Sequence, residues 1–179
     1  VNGFSPTSAL AYTYNSSLAT PAWQGTTFST SLIPGKGYIV RAPSSQPFGP
    51  LDGPPSTVLT TFSAVPNNGN ISVPIYGTTS QMNLIGNPYP SAIDIERFLI
   101  DTNNDPLLQG TVYLWTHNST IVSGNSVNYL NGDYALFNFT GPLGTGLGDL
   151  SGTNPGINMN VPTKYIAAGQ SFFIKGSAN

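Results

Sequence analysis

The stretch QMNLIGNPYPSAIDIERF, residues 81–98, decides the fold of this chain. Its apolar beginning predicts a strand over Met82–Ile85. The segment Gly86–Pro90 that follows is dense in glycine, asparagine and proline, which accept unusual backbone angles or restrict the direction of the chain. None of its residues is a nucleophile, a general base or an evident metal ligand. The segment is therefore interpreted as a structural corner and not as a reactive site.

The corner leads into the one convincing helix of the sequence. Ser91 is a good N-cap residue, and Asp94 three positions later completes a box-like arrangement. The apolar residues that follow predict a short helix near 92–100, and Pro106 prevents any extension far beyond it. A helix of this length needs a sheet to pack on.

The composition favours β structure and a weakly charged surface. Gly and Pro contribute 20 and 16 of the 179 residues, which predicts many turns and few long helices. Charged residues make up 7% of the chain, against roughly 25% in an average soluble domain, and the net charge is −2. We therefore expect no nucleic-acid partner. No apolar run approaches the roughly 18 residues of a membrane span, so we expect no membrane insertion either.

Alternating, β-branched and aromatic runs indicate an all-β chain, an antiparallel β-sandwich of jelly-roll-like type that forms one domain over residues 1–179. Asn67-Asn68-Gly69 stands between two extended runs and predicts a hairpin, because a hairpin turn needs residues that tolerate positive φ. The predicted strands are Ala9–Tyr14, Gly37–Arg41, Thr57–Ser63, Asn70–Ile75, Met82–Ile85, Gly110–Thr116, Tyr134–Phe139 and Gln170–Lys175.

One segment of the sequence is echoed by another. LIPGKGYIVRA, residues 32–42, aligns without gaps with IAAGQSFFIKG, residues 166–176. Gly35 matches Gly169, and each alignment partner is interpreted as a glycine turn that leads into a buried strand. The echo indicates two related half-units, which arose either by duplication or by convergence on the same turn-strand chemistry.

Five segments occur in the order PGKGYIV, NLIGNPYPSAID, GTVYLWTHN, GDYALFN and IAAGQSFFIK. In these segments the chain resembles the C-terminal β-rich region of large secreted proteins of the Bacteroidetes, which commonly precedes a type IX secretion sorting domain. The sorting domain itself is absent from this sequence. The resemblance implies a secreted or cell-surface protein of the adhesin-like or multi-module kind. Its partners would be neighbouring modules of the same polypeptide or surface assembly and the type IX secretion machinery.

The segment DTNNDP predicts a calcium site. Asp101, Asn103 and Asp105 alternate as oxygen ligands do in calcium loops. The glycine and glutamate positions of an EF-hand are missing, so any site would be of a looser extracellular kind. The alternative is an Asx-rich turn whose side chains bond to the local backbone. Asp133 with Asn131, followed by Asp149, is a second candidate for calcium.

A glycan site is the other serious hypothesis. Carbohydrate modules use planar aromatic rings as stacking platforms beside amide and carboxylate hydrogen-bonding groups. The rings of Trp23 and Tyr129 stand in polar contexts and are predicted to lie at the surface, with Asn131 and Asp133 as polar partners.

The strand GTVYLWT is predicted to be buried on both faces. Alternation places Tyr113 and Trp115 on one face and Val112 and Leu114 on the other, and both faces are apolar. Both aromatic rings are therefore interpreted as packing residues.

Catalytic chemistry has little support in the sequence. The one histidine, His117, has no activated nucleophile context around it, and a triad would need one. Asp94, Glu96, Asp101 and Asp105 cluster on the predicted helix and the loop after it, not across a cleft. We therefore expect a non-enzymatic extracellular module that serves adhesion or display with weak glycan recognition. The alternative is a carbohydrate-binding accessory module of a secreted polysaccharide hydrolase.

Overall fold

A computed structural model describes residues 11–26, 31–40, 64–77, 81–116, 133–144 and 161–177. The predicted strand at Thr57–Ser63 lies outside the described residues. Within them the chain is all-β, with ten strands and one short helix, as the sequence predicts. The elements are β1 (Ala11–Asn15), β2 (Ala22–Thr26), β3 (Ile39–Val40), β4 (Met82–Gly86), β5 (Ile93–Asp94), α1 (Ile95–Ile100), a 3₁₀ turn (Asp105–Leu107), β6 (Leu108–Trp115), β7 (Tyr134–Asn138), β8 (Gly141–Leu143), β9 (Tyr165–Ile166) and β10 (Ser171–Gly176).

The strands form three antiparallel sheets. The small sheet has the order β2-β1-β3, the large sheet has the order β4-β10-β6-β7-β8, and β5 pairs with β9. The predicted strands that became β1, β3, β4, β6, β7 and β10 are confirmed to within two residues at most of their ends. No described helix combines the length and the apolar character that crossing a membrane would require.

The small and large sheets are joined through the chain that precedes β3. Gly37 N donates to Leu84 O at 3.2 Å, and Gly86 N donates to Gly35 O at 3.0 Å, so this segment runs antiparallel along the edge of β4. A side chain at Gly37 would collide with Leu84. Since the segment continues into β3, the small sheet leaves the edge of the large one and folds over it in a sandwich-like arrangement.

The two echoed sequences adopt the same turn. Gly35 has φ of 78° and Gly169 has φ of 72°. Lys36 N donates to Ile33 O at 3.1 Å, and Gln170 N donates to Ala167 O at the same distance of 3.1 Å. Both are four-residue turns with a positive φ at the third position, the geometry of type II. The backbone of the two segments is therefore alike at the turn, and both turns lie beside the end of β4.

The main core lies between one face of the large sheet and the helix. The sheet contributes Val112, Phe172 and Ile174, and α1 contributes Ile95 and Leu99, all of them buried. Burial of each such side chain stabilises the fold by about 1.5–3 kcal/mol. The ring of Phe98 meets that of Phe172 edge to face, with centroids 5.6 Å apart. The short helix thus gains its stability from the sheet.

The corner at Gly86–Pro90 is confirmed as a structural feature. The side chain of Asn87 is buried, and its Nδ2 lies 2.8 Å from Ser91 O, 3.2 Å from Ile166 O and 3.1 Å from Ala167 O. Its Oδ1 accepts a hydrogen bond from Tyr89 N at 3.0 Å. One carboxamide therefore ties the corner to the chain around β9.

The helix begins later than the sequence predicts. Asp94, not Ser91, is the N-cap, and its carboxylate accepts from Arg97 N at 3.2 Å. Ile93 and Asp94 pair with Ile166 and Tyr165, which holds them extended. The predicted start was wrong because this two-residue pairing competes with the first helical turn.

Within the described residues, the predicted strand at Asn70–Ile75 pairs with no other strand. Gly69 does have the positive φ that the hairpin prediction requires, at 77°. Ile71, Val73 and Ile75 are half-buried and alternate with exposed residues, and Val73 packs against Gly35. Side-chain packing therefore contributes to holding this segment in place.

Candidate functional site

Strand β6 separates a buried face from an open one. Val112 and Leu114 are buried in the main core, and Tyr113 and Trp115 lie on the opposite face. Trp115 is 39% exposed. The prediction that this strand is buried on both faces is therefore wrong at its end, where a large aromatic ring remains accessible.

The open face carries further rings across the sheet. Trp115 stands opposite Tyr134 in the β6–β7 register, and Tyr113 stands opposite Phe173 in the β10–β6 register. The rings of Tyr134 and Phe173 meet at 75° with centroids 5.8 Å apart. Edge-to-face contacts of this kind contribute about 0.5–1.5 kcal/mol beyond burial.

The small sheet extends this row of rings. Trp23 pairs with Tyr14 across β1 and β2, and their ring centroids lie 5.2 Å apart. The Phe173 ring lies 5.2 Å from that of Tyr14 and 5.8 Å from that of Trp23, again edge to face. Trp23 stays 42% exposed, as the sequence predicts for a surface ring. Burial raises the pKa of the Tyr14 hydroxyl.

We call these six residues the aromatic surface: Tyr14, Trp23, Tyr113, Trp115, Tyr134 and Phe173. The two tryptophans are the exposed members of this surface. Phe173 is buried, and its ring contacts Tyr14 and Trp23 of the small sheet and Tyr134 of the large sheet. Lys175 crosses the face with Nζ 5.1 Å from the centroid of the Tyr113 ring, a cation–π contact. The rings of Tyr14, Trp23, Tyr134 and Phe173 are held by mutual edge-to-face contacts, so little conformational entropy would be lost when a ligand stacks on Trp23.

An open groove lies at the other end of β6. It has a volume of about 460 Å³ and lies between Asp105, the strand start Leu108–Thr111 and the β7–β8 turn Asn138–Thr140. Gly110 has φ of 69°, and a Cβ there would lie 3.4 Å from the ring of Phe139, which is 56% exposed. The groove was not predicted from the sequence, although Gly110 was visible as a glycine at the start of a predicted strand.

The chain matches, over residues 1–179, a family model described as "Domain of unknown function (DUF8693)". It belongs to this family. No curated protein and no solved structure shows significant similarity to this chain. The description of this family assigns no activity to its members.

The predicted polar partners of the glycan site have a mixed outcome. Tyr129 and Asn131 lie outside the described residues. Asp133 is only 1% exposed, and its backbone carbonyl accepts from Thr116 N at 2.8 Å and from Thr116 Oγ1 at 3.2 Å. Asp133 directly precedes Tyr134 in the chain, and in this structure it is buried.

The predicted calcium loop forms a compact Asx turn. Asp101 Oδ1 accepts from Asn103 N at 2.9 Å and from Asn103 Nδ2 at 3.0 Å. Asp105 N donates to Asp101 O at 2.9 Å, and all three side chains are exposed. The described residues hold no cluster of three histidine or acidic side chains that could bind a metal. Asp149 and His117 lie outside the described residues.

An ion pair ties β9 to the start of the helix. Lys164 Nζ lies 3.1 Å from Asp94 Oδ2 and 3.5 Å from Glu96 Oε2. The hydrogen bond from Arg97 N lowers the pKa of Asp94 most, and Lys164 lowers it further. The pKa of Lys164 is raised, chiefly by its hydrogen bond to Asp94. These groups satisfy one another, and the two carboxylates lie at the N-terminal end of the helix, where negative charge is favourable to the helix dipole.

Proposed function

We propose that this chain is a non-catalytic extracellular module of a large secreted surface protein, which serves adhesion or display and recognises glycans weakly through its aromatic surface. The observation that carries the proposal is the exposure of two tryptophan rings, Trp23 and Trp115. Trp23 belongs to a cluster of rings in edge-to-face contact, and Trp115 stands opposite a member of that cluster, Tyr134, in the strand register.

Stacking of sugars is the chemistry that such rings favour. A pyranose presents an apolar face of C–H groups, and a fixed indole ring offers a large apolar surface with an N–H group at its edge. Tryptophan is also the side chain that contributes most often to binding energy at recognition surfaces. A ligand without charge suits a chain in which charged residues make up only 7%.

The extracellular location is supported by the resemblance of the five sequence segments to secreted proteins of the Bacteroidetes. Export through the type IX machinery and association with neighbouring modules belong to the same proposal. A non-enzymatic role is supported by the sequence, which has one histidine and seven acidic residues in all.

A carbohydrate-binding accessory module of a secreted polysaccharide hydrolase is the second candidate function. The same aromatic surface would then hold a tethered enzyme on an insoluble polymer. The sequence on either side of this chain in its gene distinguishes the two, since a flanking catalytic domain supports the accessory role and further β-rich modules support adhesion.

The test is binding to insoluble polysaccharides and to a glycan array. We expect weak, millimolar-to-micromolar binding to at least one glycan, and we expect Trp115→Ala and Trp23→Ala each to reduce it about tenfold or more, as loss of a stacked ring costs about 1.4 kcal/mol or more. Tyr165→Ala is the matched control, because Tyr165 is a similarly exposed aromatic residue on β9, beside the helix.

Two results would contradict the proposal. The first is the absence of glycan binding together with self-association or docking on neighbouring modules, which would establish a purely structural role. The second is glycan binding that Tyr165→Ala weakens as much as Trp115→Ala does.

A further inference from the structure

The aromatic surface and the groove lie along the same strand. Thr111 is on the same face of β6 as Tyr113 and Trp115, and it stands opposite Asn138 on β7, as Trp115 stands opposite Tyr134. Four residues of strand separate the two ends, a distance of about 13 Å. The face therefore changes from aromatic to polar over a distance that a chain of several sugar units spans.

The groove offers the groups that sugar hydroxyls require. Its polar lining comes from Gln109, Thr111, Asn138, Thr140 and Asp105. Asn138 Oδ1 accepts from Thr140 N at 2.9 Å and from Thr140 Oγ1 at 2.7 Å, which fixes the side chain in the turn. Because this turn occupies Oδ1, Nδ2 is the atom with which Asn138 would donate to a ligand.

An aromatic ring lies at the rim of the groove. Phe139 lies near Gly110, whose positive φ is readily adopted by glycine, and a Cβ at this position would be in van der Waals contact with the ring. The ring is more than half exposed at the rim. At this end of the strand, the Phe139 ring can stack on a sugar, and the hydroxyl and amide groups beside it can form hydrogen bonds with that sugar. The aromatic surface provides this combination only in part.

The charges indicate what kind of sugar chain would fit. Among the described residues that line the groove, Asp105 is the one that is charged, and the whole chain has a net charge of −2. A carboxylate at the rim disfavours uronic acids through like-charge repulsion, whereas hydroxyl groups donate to it well. At the centre of the face, Lys175 is engaged with the ring of Tyr113.

We propose that the aromatic surface and the groove form one continuous site for an unbranched, neutral oligosaccharide that lies along β6, with Trp115 at one end and Thr111, Asn138 and Phe139 at the other. This inference rests on the proposed function and specifies its ligand class and binding direction. A short sugar reaches only the tryptophan end, and a longer chain gains the contacts of the groove.

The test is calorimetric titration of the full chain with neutral di- and hexasaccharides of the cello-, laminari-, xylo- and chito- series and with a hexamer of galacturonic acid. We expect at least one neutral hexasaccharide to bind about tenfold or more tightly than its disaccharide, and the galacturonic acid hexamer to bind more weakly. Thr111→Val is nearly isosteric and removes the hydroxyl, and Phe139→Ser removes the ring. Each variant should reduce hexasaccharide affinity about fivefold and leave disaccharide affinity unchanged, while Trp115→Ala reduces both.

The outcomes separate the two proposals. If Trp115→Ala abolishes binding but hexa- and disaccharides bind alike, or Thr111→Val and Phe139→Ser have no effect, the groove is not part of the site and the proposed function stands. Tighter binding of the galacturonic acid hexamer overturns the neutral ligand class. If no sugar of the panel binds, both proposals fail. Melting temperatures of all variants, together with Tyr165→Ala, exclude loss of folding as the cause of any change.

Discussion

The side chain of Asn83 pairs with the backbone of Tyr76 in both directions. Its Oδ1 accepts from Tyr76 N at 2.9 Å, and its Nδ2 donates to Tyr76 O at 3.0 Å. Nδ2 also lies 3.0 Å from Gln81 O, and the side chain is buried. A carboxamide thus replaces the neighbouring strand that would normally satisfy these groups.

Asn83→Ala is expected to lower the free energy of unfolding by about 2 kcal/mol, because the partly buried N–H and C=O groups of Tyr76 lose their partner. Urea denaturation measures the change. Asn68→Ala is the matched control, since Asn68 is exposed and its Oδ1 accepts only from the adjacent Gly69 N. Equal effects of the two substitutions would show that the extended segment is held by packing alone.

Alanine substitutions at three glycines distinguish the cost of a strained backbone from the cost of a steric collision. Gly35 combines a positive φ with close contact to Val73, Gly69 has a positive φ and open space around it, and Gly25 has neither constraint. We expect alanine at these positions to cost about 3, about 1 and less than about 0.5 kcal/mol respectively. Thermal or urea unfolding gives the order. If Gly69→Ala and Gly25→Ala destabilise equally, the assignment of strain at Gly69 is wrong.

The ion pair between Asp94 and Lys164 makes stability depend on pH at both ends. Asp94 has a lowered pKa in the folded state, so its contribution is present above the unfolded pKa and is lost as pH falls through the folded one. Lys164 has a raised pKa, so its contribution is complete below the unfolded pKa and is lost as pH rises through the folded one.

Asp94→Asn should therefore reduce the loss of folding stability at acid pH. Added salt should reduce the pH dependence of stability at both acid and alkaline pH. Chemical denaturation at pH values between about 2 and about 12 measures the free energy of unfolding over a range that covers the ordinary pKa values of aspartate and lysine. Glu96→Gln is the control, because Glu96 lies farther from Lys164 and is more exposed. An unchanged loss of stability at acid pH in Asp94→Asn would contradict this assignment.

Calcium is tested at the Asp101 turn. The hydrogen bonds from Asn103 account for its shape without an ion, so we expect the melting temperature after demetallation to be the same in EDTA as in millimolar calcium. Asp101→Ala should cost about 0.5–1 kcal/mol in either condition, through the loss of these exposed hydrogen bonds. A melting temperature that rises with calcium in the wild type but not in Asp101→Ala would instead support the predicted ion site.

The sequence predicts those elements best in which local and tertiary preferences agree. The apolar run of β4, the corner at Asn87 and the positive φ at Gly69 are all confirmed. Each depends on residue types whose backbone preference or hydrogen-bonding capacity is strong by itself.

The sequence predicts poorly those features that depend on distant partners. Strand β2 was missed because Trp23-Gln24-Gly25 has no alternating pattern of its own and is extended through its pairing with β1. The helix start was misplaced because β9, about 70 residues later, holds Ile93 and Asp94 extended. Trp115 was assigned to the core because alternation tells which residues share a face and not whether another layer covers it.

The position of β10 in the large sheet has a consequence for the order in which the chain is assembled. β10 lies between β4 and β6, although it follows both in sequence. A ribosome therefore delivers β4, the helix, β6 and β7 before the strand that joins them exists. The large sheet can close only when Ser171–Gly176 has been synthesised. Until then β4 and β6 have no neighbouring strand on the edges that β10 later occupies. Completion of the large sheet is therefore a late step in the synthesis of this chain, and β4 and β6 remain without their shared neighbour until that step.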